Sequence, residues 1–172
     1  MSQPDSLAVT IGGPGAAMQR PCLEDYPLRT AEKLRFADTD CNGHISNAVF
    51  AVCCQNARME LLHDPRRVPM PIDAQFVIVR LEIDFLGEMH WPGTVVIGTR
   101  CVRLGLTSIL VALALFVEGC CAASACWWVA LLDRARRRAT PLPSETAIAL
   151  RAFSAAQSSN GVGQPCRQGR EG

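Results

Sequence analysis

Between residues 77 and 85 the chain alternates: Val77, Val79, Leu81, Ile83 and Phe85 are apolar, and Arg80, Glu82 and Asp84 between them are charged. A period of two predicts a β-strand with one buried face. Residues 45–62 follow another pattern. Ile45, Ala48, Val49, Phe50, Ala51, Val52, Cys53 and Cys54 nearly surround a helix that no Pro or Gly interrupts, and Asp64-Pro65 ends it. A helix apolar on most of its circumference is expected to be buried, inside a sheet that wraps around it. Residues 29–36 predict a first strand. Trp91-Pro92-Gly93, Leu104-Gly105 and Glu118-Gly119 punctuate the second half and predict strands over 94–103, 106–117 and 120–132. The run 107–117 is too short to span a bilayer as a helix and suits a strand buried on both faces. One helix followed by four long strands in meander order predicts an α+β fold, an antiparallel sheet wrapped on one central helix.

The ends of the chain break this patterning. Residues 1–24 are rich in Gly, Pro, Ser and Ala without a period, and 154–172 are similar, so both are expected to be disordered arms around one domain over 25–153. At 172 residues and 49% hydrophobic, the chain suffices for one domain with a real core. Seventeen basic and sixteen acidic residues leave a net charge of +1, which calls for no nucleic acid. No membrane segment is predicted. Nine cysteines raise the question of disulfides, but the number is odd and the first residues do not resemble a signal peptide. Cys53-Cys54 and Cys120-Cys121 are adjacent, no CxxC occurs, and Cys120, Cys121 and Cys126 lack the spacing and nearby His of a zinc site. Reduced thiols in a cytoplasmic protein are expected.

The densest chemistry lies at 35–50, Arg-Phe-Ala-Asp-Thr-Asp-Cys-Asn-Gly-His-Ile-Ser-Asn-Ala-Val-Phe. It reads as a strand end, a polar turn with two carboxylates, and an apolar helix. Gly43 frees the turn backbone, and Ser46 or Asn47 suits a helix cap. One short loop then sets a carboxylate beside the bare N–H groups of a helix start, an arrangement suited to acyl chemistry. On the residues alone Asp40 reads first as a turn Asp bonding its own backbone, with a base or nucleophile as the alternative. Asp38, two residues earlier, would point the same way on an extended segment, though bonding to turn amides is the simpler role. The backbone amides of Asn47, Ala48 and Val49 are candidate oxyanion donors. Asn47 could also assist as a neutral side-chain donor, and His44 as a polar group at the pocket mouth. No Gly-x-Ser-x-Gly elbow exists, which excludes an α/β-hydrolase route.

Asp38-Thr39-Asp40-x-x-Gly43-His44-x-x-Asn47-Ala48-Val49 resembles the opening motif of the hotdog-fold thioesterases of the 4-hydroxybenzoyl-CoA thioesterase family. Ala57-Arg58-x-Glu60, the stretch 79–86, Val102-Arg103-Leu104-Gly105-x-x-Ser108 and the stretch 129–134 followed by Pro141-Leu142-Pro143 continue the match in order. The resemblance implies a hotdog fold and hydrolysis of an acyl-CoA thioester to free acid and CoA, with Asp40 central and Asn47 and His44 helping. It implies no metal and no cofactor beyond the CoA of the substrate. It also implies a homodimer with a continuous sheet, often paired again as a dimer of dimers. Ser108, in a region that nears the acyl or pantetheine portion across the dimer, is its substrate-binding candidate; Arg134 and Arg136, in the basic run that Arg137 and Arg138 complete, could bind the phosphates of CoA, with a solvated charge run as the plainer reading. Arg58 and Glu60 are expected to stabilise the helix or a dimer contact. Where many relatives carry aromatic residues and paired acids, this helix has Ala51, Val52, Cys53, Cys54, Gln55 and Asn56, so a reshaped acyl pocket is expected. The rival readings are a thioesterase for carrier-protein or polyketide-bound chains, and a hotdog protein that binds an acyl thioester without cleaving it.

Overall fold

The apolar run expected to be buried on both faces forms the middle of the sheet. In the computed structural model, which describes residues 20–154, the order is β1 (Leu28–Lys33), α1 (Asn47–Leu62), β2 (Ala74–Phe85), β3 (Thr94–Leu104), β4 (Ser108–Val117), β5 (Cys120–Asp133), β6 (Arg138–Ala139) and α2 (Ser144–Arg151). Every pairing is antiparallel, in the spatial order β1-β3-β4-β5-β2 with β6 added to β5. β4 is therefore central, and its residues 111–116 are all buried. The expected strands and helix all exist, but only β3, β4 and β5 run as a meander: β2, expected first in it, crosses over to pair with β5. α2 is an addition, eight residues after a Pro-rich stretch and too short to show a helical period.

α1 lies on one face of the curled sheet. Phe50, Cys53, Cys54, Ala57, Leu61 and Leu62 pack with Val95, Ile97, Val111, Leu113, Trp127, Val129 and Leu131. These helix positions recur at three- and four-residue steps, and each large side chain so buried contributes about 1.5–3 kcal/mol. The opposite face of α1 corrects the expectation of a helix enclosed all round. Val52 remains 49% exposed, and Gln55, Asn56 and Glu60 face outward. One curled sheet covers one side of a helix.

β2 departs from its expected face for a related reason. It is an edge strand, and its register with β5 shifts between Ile78 and Arg80, so Val79 is a bulge. A bulge reverses the inward phase of a strand. Ala74 and Phe76 are buried before it, and after it Ile83 packs on the core and Phe85 meets Phe50 at 5.2 Å. Val79 is 67% exposed and Phe85 49%, so the alternating segment is not covered within one chain.

On the sheet's other face Tyr26 joins Ala114, Phe116 and Cys121, with Leu23 packed against them. Residues 20–24, read from sequence as part of an arm, thus include an anchoring turn; residues 1–19 and those after 154 lie outside the described residues. Tyr26 sits directly on Gly98, where a Cβ would come within 2.5 Å of its ring. Burial pushes the Tyr26 hydroxyl pKa up to about 12. The cysteines at 22, 41, 53, 54, 101, 121 and 126 carry free thiols. Cys120 is disulfide-bonded, which corrects the expectation of reduced thiols throughout. No helix among the described residues is long and apolar enough to cross a membrane.

Candidate active site

The acidic stretch folds as a compact turn braced at both ends. Thr39 bridges to Ile45, and the Ile45 amide donates to the Met89 carbonyl at 2.8 Å. Within it the Asp40 amide donates to the His44 carbonyl (2.7 Å) and the Gly43 amide to the Asp40 carbonyl (3.1 Å). Gly43 has φ of +80°, which an L side chain rarely adopts. Asp40 Oδ1 accepts from the amides of Asn42 (2.8 Å) and His44 (3.2 Å). This is the turn role considered from sequence, and it occupies one oxygen. Oδ2 accepts no hydrogen bond among the described residues, and the side chain is exposed.

Asp38 does something else. The segment Phe36–Asp38 is a 3₁₀ turn, so the rule that residues two apart share a face does not apply. Asp38 is buried, and Arg35 donates to it from Nη2 (2.7 Å), Nε (3.1 Å) and its amide (2.8 Å). Those bonds hold the Asp38 carboxyl below its ordinary pKa. Asp38 braces the turn as an anion, separate from Asp40.

The start of α1 has no side-chain cap. The Ser46 amide donates to the Asp38 carbonyl (2.9 Å), and the Val49 amide to the Ser46 carbonyl (2.8 Å). Val49, expected as a third oxyanion donor, is therefore occupied. The amides of Asn47 and Ala48 have no acceptor among the described residues, and both residues are exposed. Two bare donors at the positive end of a 16-residue helix thus lie seven residues from a carboxylate with one free oxygen. Phe50 and Phe85 form an apolar surface one turn further along.

His44 joins two residues that the sequence reading missed. Its ring meets His90 edge-to-face at 5.0 Å, and both approach Glu88. Only the non-local bridge between His44 and His90 places them together, so no local spacing announced it.

Ser108, Arg134 and Arg136 lie at the other end of the molecule. Ser108 opens β4 opposite the end of β3, whereas the Asp40 turn sits by the start of β3, where Leu34 bonds Gly93. Eleven residues of strand separate those ends by about 33 Å. Arg134 donates from Nε to the Ala74 carbonyl (3.1 Å). Arg136 is held by Asp133 through its amide (2.7 Å) and Nη1 (3.1 Å). The nearby depression is lined by Asp73 and Asp133, the wrong sign for a phosphate. Glu60 pairs with Arg67 (3.8 Å), closing the end of α1.

A curled antiparallel sheet on one helix, with an acidic turn at the helix start, is a hotdog fold. Residues 42–120 match the model of the Thioesterase superfamily. The PA5185 protein of Pseudomonas aeruginosa strain PAO1 is similar at 26% identity over 81% of this chain and 100% of its own, with a TM-score of 0.73. A thioesterase of Thermus thermophilus, solved with coenzyme A and Zn, is 29% identical over 73% of this chain and 98% of its own, TM-score 0.64. A predicted thioesterase of Bacillus stearothermophilus shares the fold at 23% identity, over 76% of this chain and 98% of its own, TM-score 0.68. No curated protein sequence matches the chain. The family model and the structural neighbours together support a hotdog-fold thioesterase of this superfamily.

Proposed function

We propose that this protein hydrolyses an acyl-CoA thioester to a free carboxylic acid and CoA at the junction of the Asp40 turn and α1. The observation that carries the reading is the pairing of one free carboxylate oxygen with two bare helix-start amides. Asn47 and Ala48 N–H groups would hold the carbonyl oxygen and stabilise it as charge develops. Asp40 Oδ2 would take a proton from water, or attack the carbonyl itself. The Asn47 side chain and His44, from the same turn and helix start, would assist as polar groups, and Phe85 against Phe50 would offer the acyl group an apolar wall. The match of residues 42–120 to the superfamily model and likeness to a thioesterase solved with coenzyme A support the substrate class.

The reading includes a homodimer in which β2 pairs antiparallel with its copy. Exposed Val79 and Phe85 on an unpaired edge favour it. A two-fold axis beside β2 reverses the partner, bringing the partner's Ser108, Arg134 and Arg136 toward the Asp40 end.

The test is hydrolysis of an acyl-CoA panel, followed by loss of thioester absorbance so that the thiols do not interfere. Asp40→Asn should lower kcat at least about 100-fold with the fold retained by circular dichroism. An unchanged rate would remove Asp40 from the chemistry. Turnover confined to carrier-protein esters would replace CoA as the carrier.

A further inference from the structure

Two of the three histidines in the chain, His44 and His90, face one another across a non-local backbone bridge, and one glutamate serves both. His44 Nε2 and His90 Nε2 each lie 3.5 Å from Glu88 Oε2. That separation is long for a hydrogen bond, which prefers about 2.7–3.2 Å. It is close to the spacing of two ligand atoms around a tetrahedral zinc ion, about 3.4 Å for metal–ligand bonds near 2.05 Å. One ligand atom from each of the three residues lies within 4.8 Å of the others. We propose that His44, Glu88 and His90 form a binding site for a zinc-class divalent cation, with water completing the coordination.

The backbone supports the arrangement. Met89 is fully buried between Glu88 and His90, and its carbonyl accepts the Ile45 amide. Glu88 and His90, two apart, therefore share the outward side. The His44 backbone is fixed through its amide and carbonyl to Asp40. The three side chains are 39%, 63% and 57% exposed, so an ion reaches them and only surface rotamers must adjust. Two imidazoles and a carboxylate with an open position match the donor set of zinc, cobalt or nickel rather than magnesium or calcium. The buried thiols compete poorly: burial raises Cys53 and Cys54 to about 12 and Cys101 to about 11. A bound ion would clip the turn carrying Asp40 to the connection between β2 and β3. The proposal does not depend on the hydrolase reading.

The experiment titrates the metal-free full-length protein with Co²⁺, followed by visible absorption, and with Zn²⁺, against a competing chelator and by thermal shift. Wild type is compared with Glu88→Gln, His90→Ala and Cys41→Ser. Binding of one ion per chain is expected, with a tetrahedral cobalt spectrum, no thiolate charge-transfer band, and a rise in Tm with zinc. Glu88→Gln and His90→Ala should each weaken binding beyond the 10- to 100-fold typical of losing an outer-shell partner. Cys41→Ser should bind as wild type. Both ligand substitutions fall on exposed side chains, and circular dichroism checks their folding. Affinity unchanged in both variants, no binding by wild type, or a charge-transfer band that Cys41→Ser removes would each overturn the site.

Discussion

Arg35 and Asp38 make the strongest local electrostatic contact in the acidic turn. Asp38 is held ionised first by the Arg35 side chain and then by its amide. Asp64, held by the side chain and amide of Arg66, and Asp133, held first by the Arg136 amide, are also kept below the ordinary 3.8. A carboxylate whose folded pKa is depressed adds stability that is present above its unfolded pKa and lost as pH falls through the folded value. Tm should therefore hold level above about pH 5 and fall below pH 3.8. Asp38→Asn should flatten that fall, as read by calorimetry across pH. Arg58 is the opposite case, a buried cation over the Trp127 ring at 4.8 Å, with Nε unbonded among the described residues. Burial lowers its pKa. Replacing buried ionic groups with well-packed apolar side chains of similar volume is often neutral or stabilising by about 1–4 kcal/mol. Arg58→Met should thus keep or raise Tm. A loss of several degrees would show that Arg58 has an anionic partner outside the chain.

At the level of elements, α1 and β2 share one property: each buries one side and leaves apolar residues on the other. The sequence pattern of α1 predicts burial over most of its circumference because Val52 looks no different from Cys53 along the chain. Only the position of a single curled sheet distinguishes them. In β2 the regular alternation concealed the bulge at Val79, since a bulge there has no Gly or Pro to mark it. Val79→Lys adds a charge at an exposed position on the sheet edge, a device that blocks strand pairing. The chain should fold with stability within about 0.5 kcal/mol of wild type. If the proposed β2–β2 dimer forms, the mass by light scattering should fall from dimer in wild type to monomer in the variant. A wild-type mass in the variant would place the dimer contact elsewhere.

The whole molecule sets two groups of candidates apart. α1, about 24 Å long, runs from the Asp40 turn toward the hairpin of Arg134, whose charge acts on His63 at the helix end. If Ser108 and the arginines serve substrate at all, they do so across two chains, and Val79→Lys should lose turnover together with dimer mass. The fold class, the β3-β4-β5 meander and the acidic turn before a helix were legible in the chain because they rest on local periods and on residues close in sequence, whereas the placement of β2 beside β5 rather than β3 was not. The placement of Asp40 in the turn and of Asn47 and Ala48 at the start of α1 belongs to that legible part, since only seven or eight residues separate them. The occupied Val49 amide depended on how the first helical turn closed. Removal of Asp38 from the site depended on the 3₁₀ geometry and Arg35. The cluster of His44 with Glu88 and His90, the outward half of α1 and the distant arginines are products of tertiary structure, because antiparallel pairing joins residues more than forty positions apart and sequence spacing carries no record of which ones meet.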